Sequence, residues 1–132
     1  MKRYGLTGGI ATGKSLVAGM LRTHGVAVVD ADVLAREAVR VGSAGLAAIV
    51  EAFGSSMLAP DGSLDRKKLG VFVFGDVEAR RRLENITHPR VRELAAARFD
   101  ALAKVGCTRA VYEVPLLFEI DMAGSFDATI LV

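Results

Sequence analysis

Apolar positions along the chain fall into short continuous runs and longer stretches that recur every three or four residues. Residues 3–6 read as a short first strand that runs into glycines, and residues 14–23 as the first helix. Leu16, Val17, Met20 and Leu21 recur at helical spacing there and are expected to form its buried face. His24-Gly25 closes the helix, glycine being the usual residue just past a helix end, and His24 reads as a terminal helix residue rather than a ligand. Residues 26–29 are a continuous apolar run, as in a parallel-sheet strand buried on both faces. Residues 33–40 and 46–53 then read as helices on either side of Gly42-Ser43-Ala44-Gly45, and Asp61-Gly62 marks a turn. The cluster Leu69, Val71, Phe72, Val73 and Phe74 fits helix or strand, because its periodicity does not separate the two. Arg80-Arg81-Arg82 reads as a solvated helical face. His88-Pro89-Arg90 is expected to interrupt the helical pattern, since proline disfavours helix at the preceding residue, with a long helix beyond it over about residues 91–103. Arg92 and Arg98 on it read as solvated. Residues 109–114 and 127–132 read as the last two strands.

The order is strand, glycine loop, helix, strand, several helices, strand, strand. With right-handed crossovers, and with Gly8-x-x-x-x-Gly13-Lys14-Ser15 in the glycine loop, this predicts one three-layer α/β/α domain over residues 1–132, with a parallel core sheet and the P-loop nucleoside-triphosphate hydrolase architecture. The helical stretch at about residues 44–104, between the second and third strands, is long enough to form a small subdomain covering a substrate.

The candidate chemistry starts in the glycine loop. Gly8-Gly9-Ile10-Ala11-Thr12-Gly13-Lys14-Ser15 fits GxxxxGK[ST], and it lies between a strand and a helix as that motif requires. Glycines let successive backbone N–H groups approach phosphate oxygens, and the positive end of the next helix adds to the field. Lys14 can reach β- and γ-phosphates, and the Ser15 hydroxyl can hold Mg²⁺. Asp30-Ala31-Asp32 comes directly after the second strand. In extended chain, residues i and i+2 point to the same side, so both carboxylates can face one site at the carboxyl end of the sheet. One of them can also cap the helix starting near Val33, and both roles can hold together because a cap needs only one of the two. Glu113, near the end of its strand, suits either support of the Mg²⁺ and its water shell or a plain surface position.

Composition adds limits. Hydrophobic residues make up 52% of 132 positions, enough for a real core, and charged residues 24%. The net charge of +2 gives no argument for nucleic acid as a partner. The lone Cys107 excludes an internal disulfide and fits a reducing compartment. No apolar run approaches the roughly 18 residues of a membrane span, and glycines interrupt the chain soon after Lys2-Arg3, leaving no signal core. A cytoplasmic protein is expected, with no membrane partner.

The ordered series of motifs resembles the dephospho-CoA kinase family. The matching pieces are Leu6-Thr7-Gly8-Gly9-Ile10 with Gly13-Lys14-Ser15, Val29-Asp30-Ala31-Asp32 with Ala35-Arg36, and Phe53-Gly54. Asp61-Gly62-Ser63-Leu64-Asp65-Arg66, His88-Pro89 and Val114-Pro115-Leu116-Leu117-Phe118-Glu119 complete it. The resemblance implies transfer of the ATP γ-phosphoryl group to the ribose 3′-hydroxyl of dephospho-CoA. It implies that Ala11, Thr12, Gly13, Lys14, Ser15 and Leu16 belong to the ATP loop with Gly8 and Gly9, and that Lys14 and Asp32 are catalytic, Asp32 accepting the hydroxyl proton. Asp30 then lies near Mg²⁺ or substrate, while Thr7, His88, Pro89 and Leu116 lie beside the acceptor. Leu16 departs from the Ser or Thr of many P-loops and removes a side-chain contact to the α-phosphate. The family also continues past the strand at Val132 into a lid bearing arginines, so the sequence is expected to be the amino-terminal two-thirds of such an enzyme, inactive by itself. A shikimate-type small-molecule kinase is the nearest alternative, opposed by the Pro115-Leu116-Leu117 turn and the helical insertion. A GTP-dependent switch would use Asp121-Met122-Ala123-Gly124 as its D-x-x-G, but this precedes a strand and no N-K-x-D segment exists. A nucleotide-binding fragment without activity is the remaining reading.

Overall fold

The computed structural model describes residues 1–9, 13–115 and 126–132. Its strands are β1 (Lys2–Thr7), β2 (Ala27–Asp30), β3 (Arg109–Glu113) and β4 (Ala128–Leu131). Its helices are α1 (Lys14–Thr23), α2 (Ala31–Ala38), α3 (Ala44–Phe53), α4 (Arg66–Phe74) and α5 (Val77–Lys104), with a 3-10 turn at Ser55–Met57. The chain divides into two compact units, Met1–Val33 with Ala95–Val132, and Leu34–Leu94.

In the first unit all described strand pairs are parallel, in the order β2-β3-β1-β4. The register sets Leu6 and Asp30 on either side of Glu113. Successive strand residues point to opposite faces, and β3 shows both layers. Val111 joins Leu6 and Ala18 in a core closed by Val17, Leu21 and Val28, so α1 covers that face. Tyr112 points the other way, its ring 5.5 Å from that of Phe99 on α5 and 6.1 Å from that of Phe126. Helices thus cover both faces of a parallel sheet, the three-layer arrangement expected from the chain order. The apolar run in β2 does not lie in the sheet centre: it is an edge strand, and only Val29 of its residues is buried.

The second unit is helical among its regular elements. Its core is Val39, Ile49, Met57 and Leu69, packed on by Phe53, Leu64, Val73, Leu83 and Ile86. Three of its helix starts are written in the sequence. Ser43 Oγ accepts from the Leu46 N–H, Asp65 Oδ1 from Lys68 and Asp76 Oδ1 from Ala79, each satisfying a donor left open in a first turn. The ambiguous cluster around Leu69 is therefore α4, with Asp65 as its cap.

Two expectations about helices fail. The sequence places a break at His88-Pro89, yet α5 runs unbroken from Val77 to Lys104 with Pro89 inside it. Proline removes one ladder bond, at about 3 kcal/mol in an exposed helix. Nearby, Arg90 Nη1 donates to Ile86 O at 2.7 Å and Thr87 Oγ1 to Leu83 O at 3.1 Å, neither being the Asn85 carbonyl that loses its ladder donor. Burial of Leu83 and Ile86 before the proline, and of Ala95 and Phe99 after it, holds both halves helical. On α1, the buried face is Val17, Ala18 and Leu21, whereas Leu16 and Met20 are 70% and 55% exposed. The arginine run is not simply solvated either. Arg82 donates to Ala52 O at 2.6 Å and lies over the Phe53 ring, and Arg80 donates to Phe74 O at 3.2 Å.

Candidate functional site

Connections leave β1 and β3 in opposite directions: β1 leads through α1 to β2 on one side, and β3 leads past β1 to β4 on the other. A crevice forms where adjacent strands diverge in this way, at their carboxyl ends, and ligands bind there in open parallel sheets. The loop after β1 and the ends of β2 and β3 place their side chains at this point.

Gly8 is buried behind Thr7, and Gly13 precedes α1 with φ of 89° and ψ of 12°. That left-handed conformation is open to glycine at little cost, which explains the glycine before Lys14. Among the described residues no side chain caps α1, which leaves its first-turn N–H groups open to an anion. Lys14 Nζ donates to the Val114 carbonyl oxygen at 3.4 Å. The lysine thus reaches over the end of β3, where Val114 N–H in turn donates to Leu6 O at 2.9 Å. Ser15 and Leu16 lie at the start of the helix, both exposed, while Lys14 before them is half-buried. Ala11 and Thr12 lie outside the described residues, as do Leu116, the rest of the Leu116-Leu117 turn and the Asp121-to-Gly124 segment.

Asp30 and Asp32 take different positions from those expected of extended chain. Helix α2 begins at Ala31 rather than near Val33, so the i, i+2 alternation of a strand does not apply to them. Asp30 ends β2 and its Oδ1 accepts from the Asp32 N–H at 2.8 Å, making Asp30 the cap of α2. Asp32 lies in the first turn with its side chain exposed.

Glu113 proves to be the most enclosed acid of the group. It is 7% exposed, not a surface carboxylate, and it pairs in register with Asp30. Burial pushes its carboxyl above the ordinary glutamate range, and the negative charges of Asp30 and Asp32 push the same way, while Lys14 and Arg22 pull it down. Arg22 Nη2 stands 3.9 Å from Glu113 Oε2 and is half exposed, so its contribution is a screened one. The site therefore balances three carboxylates against Lys14 and Arg22. Strand alternation could have identified Glu113, because position 113 shares a face with Val111. Nothing local marked Arg22, which reaches the site by a contact far apart in sequence.

Thr7, at the end of β1, is fully buried, and its Oγ1 has no hydrogen-bond partner among the described residues. His88 and Pro89 belong to the second unit, on α5. Among the described residues no group of three or more His, Cys, Asp or Glu side chains forms a metal cage. Mg²⁺ typically takes one or two carboxylates plus substrate phosphates and waters. The oxygen donors present, Ser15 Oγ with Asp30 and Glu113, fit that mode. The uncapped first turn of α1 and the glycine-bounded loop likewise fit a polyphosphate. No described helix is long and apolar enough to cross a membrane.

Comparison with known proteins bears on this arrangement. A protein-family model described as dephospho-CoA kinase matches residues 3–132. A curated dephospho-CoA kinase from Bdellovibrio bacteriovorus is 51% identical over 132 residues, covering 100% of this chain and 66% of the relative. One from Anaeromyxobacter dehalogenans is 52% identical, covering 100% and 63%. Among solved structures, a Thermus thermophilus protein superimposes with a TM-score of 0.81 at 34% identity, over 99% of this chain and 64% of that one. A dephospho-CoA kinase from Campylobacter jejuni gives 0.78 at 30% identity, over 97% and 65%. The chain thus spans about two thirds of the length of the relatives it matches.

Proposed function

Because the chain belongs to the dephospho-CoA kinase family, we propose that the protein transfers the γ-phosphoryl group of ATP to the ribose 3′-hydroxyl of dephospho-CoA. The observation that carries the reading is a P-loop lysine placed over the end of β3, where carboxylates end β2 and β3 side by side. Lys14 Nζ lies on the Val114 carbonyl, next in the chain to Glu113, which pairs with Asp30.

Phosphoryl transfer needs positioning and charge stabilisation more than covalent help from the protein. The loop N–H groups and the amino end of α1 hold the phosphates. Lys14 exchanges its carbonyl contact for the β- and γ-phosphate oxygens, a stronger, charge-assisted interaction. Ser15 and Asp30 would hold Mg²⁺, whose charge offsets that of the phosphates. Glu113, buried beside Asp30 in register and 3.9 Å from Arg22, adds negative charge at the end of β3 that draws Lys14 to this edge of the sheet. Asp32 is the proton acceptor: its exposed carboxylate is open to an incoming hydroxyl, whereas Asp30 is engaged in capping α2. Removal of the proton as the oxygen attacks is general-base catalysis. Thr7, His88, Pro89 and Leu116 are assigned to the acceptor, and the helical unit to its recognition. ATP-dependent work on a water-soluble acceptor fits a cytoplasmic protein.

Substitution Asp32→Asn in the full-length protein tests the assignment. It keeps the shape and removes the base, so turnover should fall roughly 10²–10⁴-fold while the Kd for Mg·ATP stays unchanged. Collapse of nucleotide binding with turnover per bound substrate intact would make Asp32 a metal-site residue and pass the base role to Asp30.

A further inference from the structure

Helix α4 carries an apolar surface that its own unit does not cover. From Leu69 to Phe74 the chain has no polar side chain, so this part of the helix is apolar on every side. A helix of that kind is ordinarily buried all round. Here one side is: Leu69 is buried and, with Val73, faces the core of Val39, Ile49 and Met57. Phe72 lies at the edge of that side, its ring 5.7 Å from the ring of Phe53. On the opposite side Val71 and Phe74 are 73% and 83% exposed, and Val77, just past the turn at Gly75, is 66% exposed. Single exposed apolar residues are ordinary, but a contiguous group with an aromatic ring nearly bare marks an interaction surface.

Two properties of this surface say what it fits. The first is shape. Lys67, Gly70, Val71 and Phe74 stand at i, i+3, i+4 and i+7, the spacing of a helix-packing seam. A Cβ at Gly70 would meet nothing within 4 Å, so the glycine leaves a hollow in the seam beside the projecting Phe74. The second is charge. Lys68 Nζ turns away to donate to the Ser56 carbonyl at 2.7 Å, leaving Arg66 and Lys67 at the amino end of the seam. Asp76 and Glu78 stand at the other end. Arg80 there donates to the Phe74 carbonyl, and Arg81 makes an exposed 3.7 Å pair with Glu78, a weak and screened one. One surface thus carries knob and hollow, base and acid, which is what a two-fold interface between identical chains requires. A lipid surface asks for basic groups alone around the apolar patch, and the two carboxylates tell against it.

We propose that α4 is the surface on which a second copy of this chain docks, the two α4 helices packing antiparallel about a two-fold axis. Phe74 of each copy enters the hollow over Gly70 of the other, and Arg66 of each lies by the turn of the other that carries Asp76 and Glu78. The axis falls at Phe72, midway between Gly70 and Phe74 and also between Arg66 and Glu78, so a single register serves both contacts. The surface belongs wholly to the second unit, and the pairing is independent of the kinase reading.

Sedimentation equilibrium of the full-length protein over about 1–500 µM, a range suited to a small interface, tests it. The mass should rise from monomer to dimer. Phe74→Ser, at an exposed position, should weaken the dimer about thirtyfold or more, as loss of a central aromatic anchor does. Gly70→Leu separates the pairing from unspecific adhesion. It fills open space and favours helix, so thermal stability should hold or rise, while the filled hollow should cost the dimer about tenfold or more. Association that strengthens with Gly70→Leu, or parent protein that binds phosphatidylglycerol vesicles without dimerising, would overturn the proposal. Arg66→Glu and Glu78→Arg should each weaken the dimer about tenfold or more, like charges then facing each other at both ends. An equimolar mixture of these two variants should dimerise as the parent does, because every altered charge then meets its opposite in the other copy. A parent protein that stays monomeric over the whole range, or a mixture that stays monomeric although the parent dimerises, would overturn the proposal as well.

Discussion

Replacing Tyr112 by phenylalanine should make the protein more stable, although it deletes a polar group from the core. Tyr112 is 1% exposed, and its hydroxyl has no hydrogen-bond partner among the described residues. Burial, then the charge of Asp30, pushes the phenol up to about 12, so it stays protonated at every working pH. A buried hydroxyl left without a partner costs roughly 1–3 kcal/mol in lost hydration. Phenylalanine keeps the ring and with it the edge-on contacts to Phe99 and Phe126, at interplanar angles of 80° and 70°. What is lost is the packing of one oxygen, worth several atom contacts of about 0.1–0.2 kcal/mol each. The difference leaves Tyr112→Phe more stable by about 1 kcal/mol, or a thermal midpoint higher by roughly 3–6 °C for a domain of this size. Urea unfolding monitored by circular dichroism measures it, with the midpoint rising and the slope unchanged. A loss of stability of about 1 kcal/mol or more would show that the hydroxyl has a partner in solution, and the reasoning from its isolation would be wrong.

Other substitutions probe the site and the second unit. Lys14→Ala should lower turnover at least about 100-fold, as removal of a single electrostatic donor does, yet leave unfolding midpoints almost unchanged, since Nζ makes one long contact at 3.4 Å; a loss in rate below about tenfold would take the lysine away from the transferred phosphate. Gly45→Ala should cost roughly 1–3 kcal/mol by overpacking against the Ala38 carbonyl, a fixed backbone atom that cannot swing aside; equal stability in urea would disprove the close approach. Glu113 has a folded-state pKa raised above the ordinary glutamate value, so the protein binds its proton more tightly when folded. Its contribution to stability is then fully present below the unfolded pKa and is lost as pH rises through the raised one. Glu113→Gln, measured in metal-free buffer, should therefore be the more stable form at neutral pH and lose that lead on acidification through the glutamate range; a lead that grows on acidification has the wrong sign.

Much of this is legible where local chemistry decides. The GxxxxGK[ST] spacing locates the loop, its flanking strand and α1, because a turn of that kind leaves few residues any choice. Ser43, Asp65 and Asp76 each precede a helix and act as its cap, a property readable from residue type and position. What the sequence hides depends on partners far away in the chain. Leu16 and Val17 are both apolar at helical spacing, and only the position of Val111 across the sheet decides which is buried. Pro89 reads as a break by its own chemistry, while the burial that overrides it comes from Ile86 and Ala95 on either side. For Asp30 and Asp32 the sequence allows a cap and a shared carboxylate face together; the early start of α2 makes Asp30 the cap and removes the strand alternation that paired it with Asp32. Glu113 reads as equally suited to solvent or to the metal; alternation sets it on the face of Val111, and its full burial comes from β3 lying between β1 and β2 in register.

The most direct measurement is of where the phosphate goes. Incubation of the full-length protein with dephospho-CoA and ATP labelled in the γ-phosphoryl group, with mass spectrometry and phosphorus NMR of the product, reports both transfer and position. The account predicts one labelled phosphate per acceptor, attached as a monoester at the ribose 3′-oxygen, formed by the parent protein and reduced roughly 10²–10⁴-fold by Asp32→Asn. Label released as inorganic phosphate with the acceptor unchanged, or attached at any other oxygen, would contradict it.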